Sequence, residues 1–309
     1  MPRALLITNP AAARIEAQSV TAVRETLRGA GWAIEVAATG APGDARRLAE
    51  RGRAEGFEAL LCYGGDGTAM QVAAALAGTG VPLGLIPGGT GNLLAGNLRL
   101  PRRPVPAART ILKAKPLAID LGTVQRSDGQ HYFAVCCGAG FDAALMARTD
   151  SASKRRWRMA AYAREALLAL PRVVSEPHRI IVDGVAHEHD ASMVLVCNCG
   201  ELVPPLLRLH PNIRPNDGIL DVVTLRAKGA WQSATAFFEL LFAGLIPRNQ
   251  VWFGRGRSVR IEVTSPARVP TQLDGELAGE TPLEAQVVPG ALMVFVDPDT
   301  VPGGMDGHG

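Results

Sequence analysis

Short apolar runs alternate with segments of helical spacing four times between Ala4 and Leu98, and every run stops at a cluster of turn formers. Residues 4–8 end at Asn9-Pro10. Ile15, Val20, Val23 and Leu27 then recur at helical intervals, closed by Gly29 and Gly31. Trp32 to Ala38 is a second run, followed by the loop Thr39–Asp44 and a helical stretch to about Arg53. The third run enters Gly64-Gly65-Asp66-Gly67-Thr68, and a helix-like stretch follows at once. The fourth, Pro82 to Ile86, enters Pro87-Gly88-Gly89-Thr90-Gly91-Asn92 and a short helix, Leu93 to Leu98. This alternation predicts a parallel, doubly wound α/β sheet, because each helix returns the chain to the same sheet edge. Such sheets bind ligands beyond the carboxyl ends of their strands. The Asn9, Thr39, Gly64 and Pro87 loops all fall there.

The two glycine turns give that edge a chemistry. A strand running into glycines and then a helix N-terminus brings backbone N–H groups close to an anion and adds the helix dipole. Gly64, Gly65, Gly67 and Thr68 are therefore candidates to cradle a nucleotide phosphate, although a plain glycine-rich turn has the same local sequence. Asp66 offers the oxygen ligand that a hard cation wants, as in Mg²⁺–ATP. Its alternative is to cap the helix that follows. Thr90 and Asn92, with Gly89 beside them, add hydroxyl and amide contacts.

After Pro116 the patterning changes to period two. Leu117 to Val124 and Tyr132 to Cys137 flank a Ser127-Asp128-Gly129 turn, and Arg179 to Val182 meets a turn at Asp183-Gly184. Ser192 to Cys199 and Ile219 to Leu225 read as further strands, and residues 259–263 and 283–287 alternate cleanly. Hairpin turns between alternating runs predict an antiparallel, sandwich-like β domain. Two helical stretches interrupt it, roughly Ser151 to Leu170 and Trp231 to Leu245. The tail, 304–309, is expected to be disordered.

Hydrophobic residues make up 47% of the chain and charged residues 20%, which places it among globular rather than disordered chains. A net charge of +3 and 5% aromatic residues do not suggest nucleic acid as a partner. The five cysteines (Cys62, Cys136, Cys137, Cys197, Cys199) are odd in number, include one adjacent pair and lie mostly in apolar runs. Reduced, buried thiols in a cytoplasmic protein fit that pattern better than a disulfide framework. The most apolar segment, Ala234 to Ile246, is too short to span a bilayer and contains Glu239.

Six motifs recur in one order: Asn9-Pro10, Gly64–Thr68, Pro87–Asn92, Gly138-Ala139-Gly140-Phe141-Asp142, Asn216-Asp217-Gly218-Ile219-Leu220-Asp221 and Gln272-Leu273-Asp274-Gly275-Glu276. With them the chain resembles the diacylglycerol kinase catalytic-domain family, which includes bacterial lipid kinases and sphingosine kinases. The resemblance spans nearly the whole length. It implies a nucleotide-binding α/β domain over 1–115, completed by a returning strand within 291–303, and a β-rich lipid-substrate domain over 116–290, with ATP between them. It implies an ATP-dependent lipid kinase that moves the γ-phosphoryl group of Mg²⁺–ATP to a lipid hydroxyl in lipid metabolism, here a diacylglycerol-like or sphingoid-like acceptor.

Residue by residue, the resemblance implies that Asp274 faces the γ-phosphate and takes the hydroxyl proton, and that Glu276 orients it or biases its pKa. On sequence alone Asp-Gly is also a common hairpin turn, and Asp128 and Asp183 sit in similar ones. Asn9 and Thr39 stand where similar proteins contact nucleotide; for Thr39, capping its own loop is the alternative. The resemblance further implies a structural Mg²⁺ held by the Asp217 carboxylate and the carbonyls of Arg214 and Ile219, with a plain turn as the alternative. Departures occur at Ala13, Met70, Gln71 and Leu93. Leu93, where many diacylglycerol kinases carry aspartate, leaves the lipid unassigned.

Arg99, Arg102, Arg103, Arg109, Lys113 and Lys115 form one basic run, and Lys154 to Arg158 another beside Met159 and Tyr162. Basic residues beside an apolar helical face suit transient docking on an anionic membrane; a solvated helix packing inward is the plainer reading. His187-Glu188-His189 has too few neighbouring ligands for a metal site and reads as a strand edge. Two other functions are weighed: a catalytically weak lipid- or nucleotide-binding regulator with the same fold, and an NAD-kinase-type enzyme, against which the Pro87–Asn92 and Asp274-Gly275-Glu276 motifs speak. A homodimer is left open.

Overall fold

The computed structural model describes residues 1–140, 175–204, 207–210, 212–226, 232, 251–266 and 268–297. Phe141 and Asp142, the helical stretch expected over Ser151 to Leu170, the Lys154 to Arg158 cluster and the tail lie outside the described residues. So does the stretch from Trp231 to Leu245 apart from Gln232. The chain divides into two compact units: Met1–Leu121 with Val203–Pro205 and Pro289–Gly309, and Gly122–Leu202 with Leu206–Val288.

In the first unit the strands Arg3–Thr8 (β1), Ala33–Ala38 (β2), Ala59–Gly64 (β3) and Leu83–Pro87 (β4) alternate with the helices Ala17–Gly29 (α1), Asp44–Ala54 (α2) and Asp66–Leu76 (α3). Leu93–Asn97 (α4) and Pro104–Lys113 (α5) follow. The order is β2-β1-β3-β4, with parallel pairs throughout. Every residue of β3 is buried, as expected for a strand covered on both faces. Leu6, Leu61 and Tyr63 pack with Val23 and Leu27 of α1 and with Ala107 and Ile111 of α5. Leu5 and Leu60, one residue out of step, face Gly52 of α2, where a Cβ would lie within 2.9 Å of both side chains. Helices thus cover both faces, and the sheet is doubly wound.

α5 occupies the middle of the run read above only as basic. Proline at the first turn fixes φ for helix entry, Ala107, Ala108 and Ile111 turn inward, and Arg109 and Lys113 are exposed. Three small or branched buried residues are a weak apolar stripe, so the basic character masks the helix.

The second unit begins within Lys115–Arg126 (β5), which forms a hairpin with Gly129–Phe133 (β6). Cys136–Gly140 (β7), Glu176–Val182 (β8), Val185–Ala191 (β9) and Met193–Cys197 (β10) come next. Glu201–Val203 (β11) and Leu207–Arg208 (β12) pair only with each other. Leu220–Leu225 (β13), Val251–Gly256 (β14), Ser258–Val263 (β15), Pro270–Leu273 (β16) and Glu276–Glu280 (β17) lead to the long last strand, Leu283–Val296 (β18). One sheet has the order β14-β13-β10-β7-β16-β17. The other runs from the first half of β18 through β15 and β8 to β9, with β5 and β6 alongside. Ile180, Ile261 and Ala285 of one sheet share a buried cluster with Cys137, Val196 and Leu220 of the other, which makes this unit a sandwich.

Two details matter later. The run Tyr132 to Cys137 is not one strand: β6 belongs to one sheet and β7 to the other, and the chain changes sheet at Ala134-Val135. The second half of β18 pairs in parallel with β4 at Val294–Leu83, and Phe295 enters the first unit's core.

All five cysteines are buried. Burial pushes the Cys62 thiol up to about 12, and the Asp66 carboxylate adds to the shift. His178 (2% exposed) and His189 are opposite each other on β8 and β9. The His178 Nδ1–H donates to the Glu176 carbonyl at 2.7 Å, and burial lowers the pKa of both rings. Unfolded imidazoles take up protons near pH ~6.5, folded ones only at lower pH. Their contribution to stability is therefore present above that pH and lost as pH falls below it. Thermal unfolding should show Tm falling from pH 7 towards pH 5, with a shallower slope in His178→Gln; an identical slope in the variant would exclude His178 as a source.

Candidate active site

The strand order makes β1 and β3 neighbours although β2 lies between them in sequence, so the chain turns outward in opposite directions from that pair. The crevice at their carboxyl ends is where a doubly wound sheet receives ligands. Asn9 ends β1 there, its backbone N–H donating to the Tyr63 carbonyl at 3.1 Å and its Nδ2 to Thr68 Oγ1 at 2.9 Å. Thr68 is 6% exposed, so this bond fixes the first turn of α3 to the end of β1.

The two glycine turns lie against each other. The Gly88 N–H donates to the Gly64 carbonyl at 2.8 Å, and a Cβ built on Gly89 would lie 2.7 Å from the Gly65 Cα. Backbone meets backbone with no side chain between. Asn92 closes the second turn on itself: the Gly89 N–H donates to its Oδ1 at 2.9 Å, and its Nδ2 donates to the Gly89 carbonyl at 2.8 Å. Asn92 is itself left-handed (φ 52°), a conformation asparagine tolerates better than most residues.

Asp66 joins the turns. Its Oδ2 accepts the Asn92 N–H at 2.8 Å and its Oδ1 the Leu93 N–H at 2.5 Å. Through these bonds it caps α4, the helix that the second turn opens. Leu93 enters this contact through its backbone, so the missing acid at that position leaves the link between the turns intact. Thr39 is half-buried at the end of β2, its N–H donating to the Thr8 carbonyl at 2.8 Å. Its loop is held by Asp44, whose Oδ2 accepts the Gly40 and Ala41 N–H groups at 2.7 and 2.8 Å. Those backbone bonds lower the Asp44 pKa.

In the second unit, Asp274 and Gly275 form the two-residue turn between β16 and β17, with φ of 45° and 87°. Positive φ at both central residues defines the primed hairpin turn. The Asp274 carboxylate accepts three successive backbone N–H groups: Ala134 on Oδ2 at 2.7 Å, Val135 and Cys136 on Oδ1 at 2.8 and 2.9 Å. These are the residues where the chain changes sheet and leaves its ladder partners behind. A charged acceptor satisfies the donors freed there. Glu276 begins β17, exposed, opposite Leu273. Asp183-Gly184 is the same kind of turn (φ 47° and 84°), but Asp183 Oδ1 accepts only the Arg257 and Ser258 N–H groups.

The motif around Asp217 has a partner that sequence reasoning missed. Asp217 Oδ2 is 2.6 Å from Arg255 Nη2, and Asp217 Oδ1 accepts the Ile219 N–H at 3.2 Å. Arg255 Nε also donates to Asp221 Oδ1 at 2.9 Å. Burial raises the Asp221 pKa, with Arg255 acting the other way. The set expected for Mg²⁺, Asp217 with the carbonyls of Arg214 and Ile219, has one carboxylate, and its Oδ2 is already paired with the Arg255 cation. As arranged it does not fit a hard divalent cation, which would be repelled by that guanidinium. Among the described residues no group of three or more His, Cys, Asp or Glu is placed to hold a metal. Nothing in the sequence singled out Arg255, which lies on β14 on the face opposite Trp252.

His187 and His189 lie on β9, the edge strand expected there, but are half-buried against Trp252, with ring centroids 4.8 Å away in each case. With His178 and Arg226, His189 and Trp252 line a cavity of about 410 Å³.

A doubly wound unit with two interlocked glycine turns, followed by a β-sandwich, is the two-part build of a class of lipid kinases. Residues 3–124 match the family described as the diacylglycerol kinase catalytic domain, and residues 135–296 the YegS C-terminal NAD kinase beta sandwich-like domain. The chain belongs to the diacylglycerol kinase catalytic-domain family of lipid kinases. It is 31% identical to a diacylglycerol kinase of Mycobacterium tuberculosis over 91% of this chain and 96% of that one. It is 33% identical to a Pseudomonas fluorescens protein named "Probable lipid kinase YegS-like", over 92% of each. A crystal structure of a diacylglycerol kinase from Bacillus anthracis shares the fold, with a TM-score of 0.75 at 22% identity over 97% of this chain and 98% of that one.

Proposed function

We propose that the protein is an ATP-dependent lipid kinase that transfers the γ-phosphoryl group of Mg²⁺–ATP to a lipid hydroxyl. The observation that carries this reading is the close approach of the two glycine turns, which sets the backbone of Gly65 directly against that of Gly89 at the binding edge of a doubly wound sheet. Glycine backbone so placed suits phosphate oxygens, which approach backbone N–H groups that side chains would otherwise screen. Gly64, Gly65, Gly67, Thr68 and Gly89 form the cradle, with Asn9, Thr39, Thr90 and Asn92 completing the nucleotide contacts. Mg²⁺ arrives with ATP as part of the substrate. Each carboxylate oxygen of Asp66 carries a second lone pair, so bonding to the Asn92 and Leu93 N–H groups leaves it able to meet a water on that ion.

Asp274 is the group that accepts the hydroxyl proton. Three backbone N–H groups hold its carboxylate in one orientation, which is what a proton acceptor for an in-line displacement requires. Glu276, two residues on, influences it electrostatically. No helix among the described residues is long and apolar enough to cross a membrane. A lipid acceptor is then met at the bilayer surface, and the exposed Arg109 and Lys113 of α5 suit contact with anionic headgroups there.

The test is a radiolabelled ATP assay against diacylglycerol, sphingoid bases, phosphatidylglycerol and NAD, each presented separately. One labelled lipid is expected. Label on NAD would replace the reading with a nucleotide kinase, and no labelled product at all would leave a regulator that keeps the fold.

A further inference from the structure

We infer that Arg255 is the resident cation of the 214–221 turn, a guanidinium built into the chain where a bound divalent ion was expected. Asp221 lies on β13 directly opposite Arg255 on β14, and it is 7% exposed. Across that pair, Arg255 Nε reaches Asp221 Oδ1 at 2.9 Å, and Nη2 of the same group reaches Asp217 Oδ2 at 2.6 Å. One planar fork, through its Nε and Nη2 donors, ties together two carboxylates four residues apart, a geometry that an ammonium group cannot reproduce. The turn is closed from the other side by the Ile219 N–H on Asp217 Oδ1, and Gly218 supplies the positive φ (71°) between them.

A cation is needed there for a simple reason. Asp217 and Asp221 bring two negative charges to one short turn, and burial makes the Asp221 charge costly unless it is paired. A divalent ion would meet that need, but so does the Arg255 guanidinium. The two solutions exclude each other, because an ion on Asp217 Oδ2 would sit against the guanidinium. Arg255 therefore positions the turn without metal. This conclusion is independent of which reaction the protein catalyses.

The test is thermal unfolding of the purified, EDTA-treated chain without nucleotide, with and without millimolar Mg²⁺. The wild type should shift by less than about 1 °C on adding Mg²⁺ and carry no stoichiometric metal by mass spectrometry, while Arg255→Met should unfold about 3–6 °C earlier. Freed of the guanidinium, Arg255→Met should gain a Mg²⁺-dependent rise in Tm that is lost in Arg255→Met/Asp217→Asn. If Arg255→Met does not fold, Arg255→Lys keeps the charge but not the fork and should unfold earlier than wild type in EDTA. A wild-type Tm that climbs with Mg²⁺ and ceases to do so in Asp217→Asn would overturn the inference. So would an Arg255 variant with the wild-type Tm in EDTA.

Discussion

Asp274→Asn is expected to lower lipid phosphorylation by about 10²- to 10⁴-fold, the usual contribution of a positioned proton acceptor. It should also unfold earlier. An amide keeps one acceptor oxygen but turns an NH₂ towards backbone N–H groups that the carboxylate now receives on both oxygens. Hydrogen bonds to a charged group contribute about 1.5–3 kcal/mol each, so losing one or two should lower Tm by roughly 4–15 °C. The two effects separate by measuring turnover well below the variant's Tm. Asp183→Asn is the matched control, since Asp183 occupies the same turn and clamps two N–H groups. It should lose stability and keep turnover. Near-normal turnover by folded Asp274→Asn would remove Asp274 from the chemistry, and an unchanged Tm would contradict the clamp.

Gly89→Ala should weaken ATP binding by about 10-fold or more, since displacements approaching 1 Å in a positioning element carry losses of that order or larger. The added Cβ would stand 2.7 Å from the Gly65 Cα, and neither is the end of a flexible side chain. One turn has to move, and the Asp66 bonds to Asn92 and Leu93 resist that movement. Calorimetric titration with a non-hydrolysable ATP analogue reads the loss. Gly29→Ala, where nothing lies within 4 Å, should leave affinity unchanged. Wild-type affinity in Gly89→Ala would mean that the gap between the turns is not where phosphate binds.

The architecture of the first unit was legible because β3 and β4 are apolar throughout, β1 and β2 are mostly so, and each turn is punctuated by glycine, asparagine or proline. The β-sandwich was legible from alternation, but its internal break at Ala134-Val135 was not: Tyr132 to Cys137 stays apolar across a change of sheet. Nothing local records that the donors freed there are met by a carboxylate 138 to 140 residues away. For the same reason the local sequence could not separate Asp274 from Asp183, and only the resemblance of its motif did. Both make the same turn, and they differ only in what their side chains reach. Asp66 was legible as important and not as a bridge, since its partners belong to the next loop. Arg255 was invisible because an arginine between two glycines is ordinary until the strand opposite presents an acid.

The last strand carries a consequence for how the protein is made. β18 gives its first half to the second unit, and Val294 and Phe295 to the first. On the ribosome, β1 to β4 emerge early and then wait, with the outer edge of β4 unpaired, until almost the whole chain has been synthesised. A nascent chain halted after the sandwich would expose a hydrophobic parallel edge, the kind that recruits chaperones or aggregates. The unit that starts first finishes last, so truncation before Ala291 should harm the N-terminal half more than the half from which residues were removed.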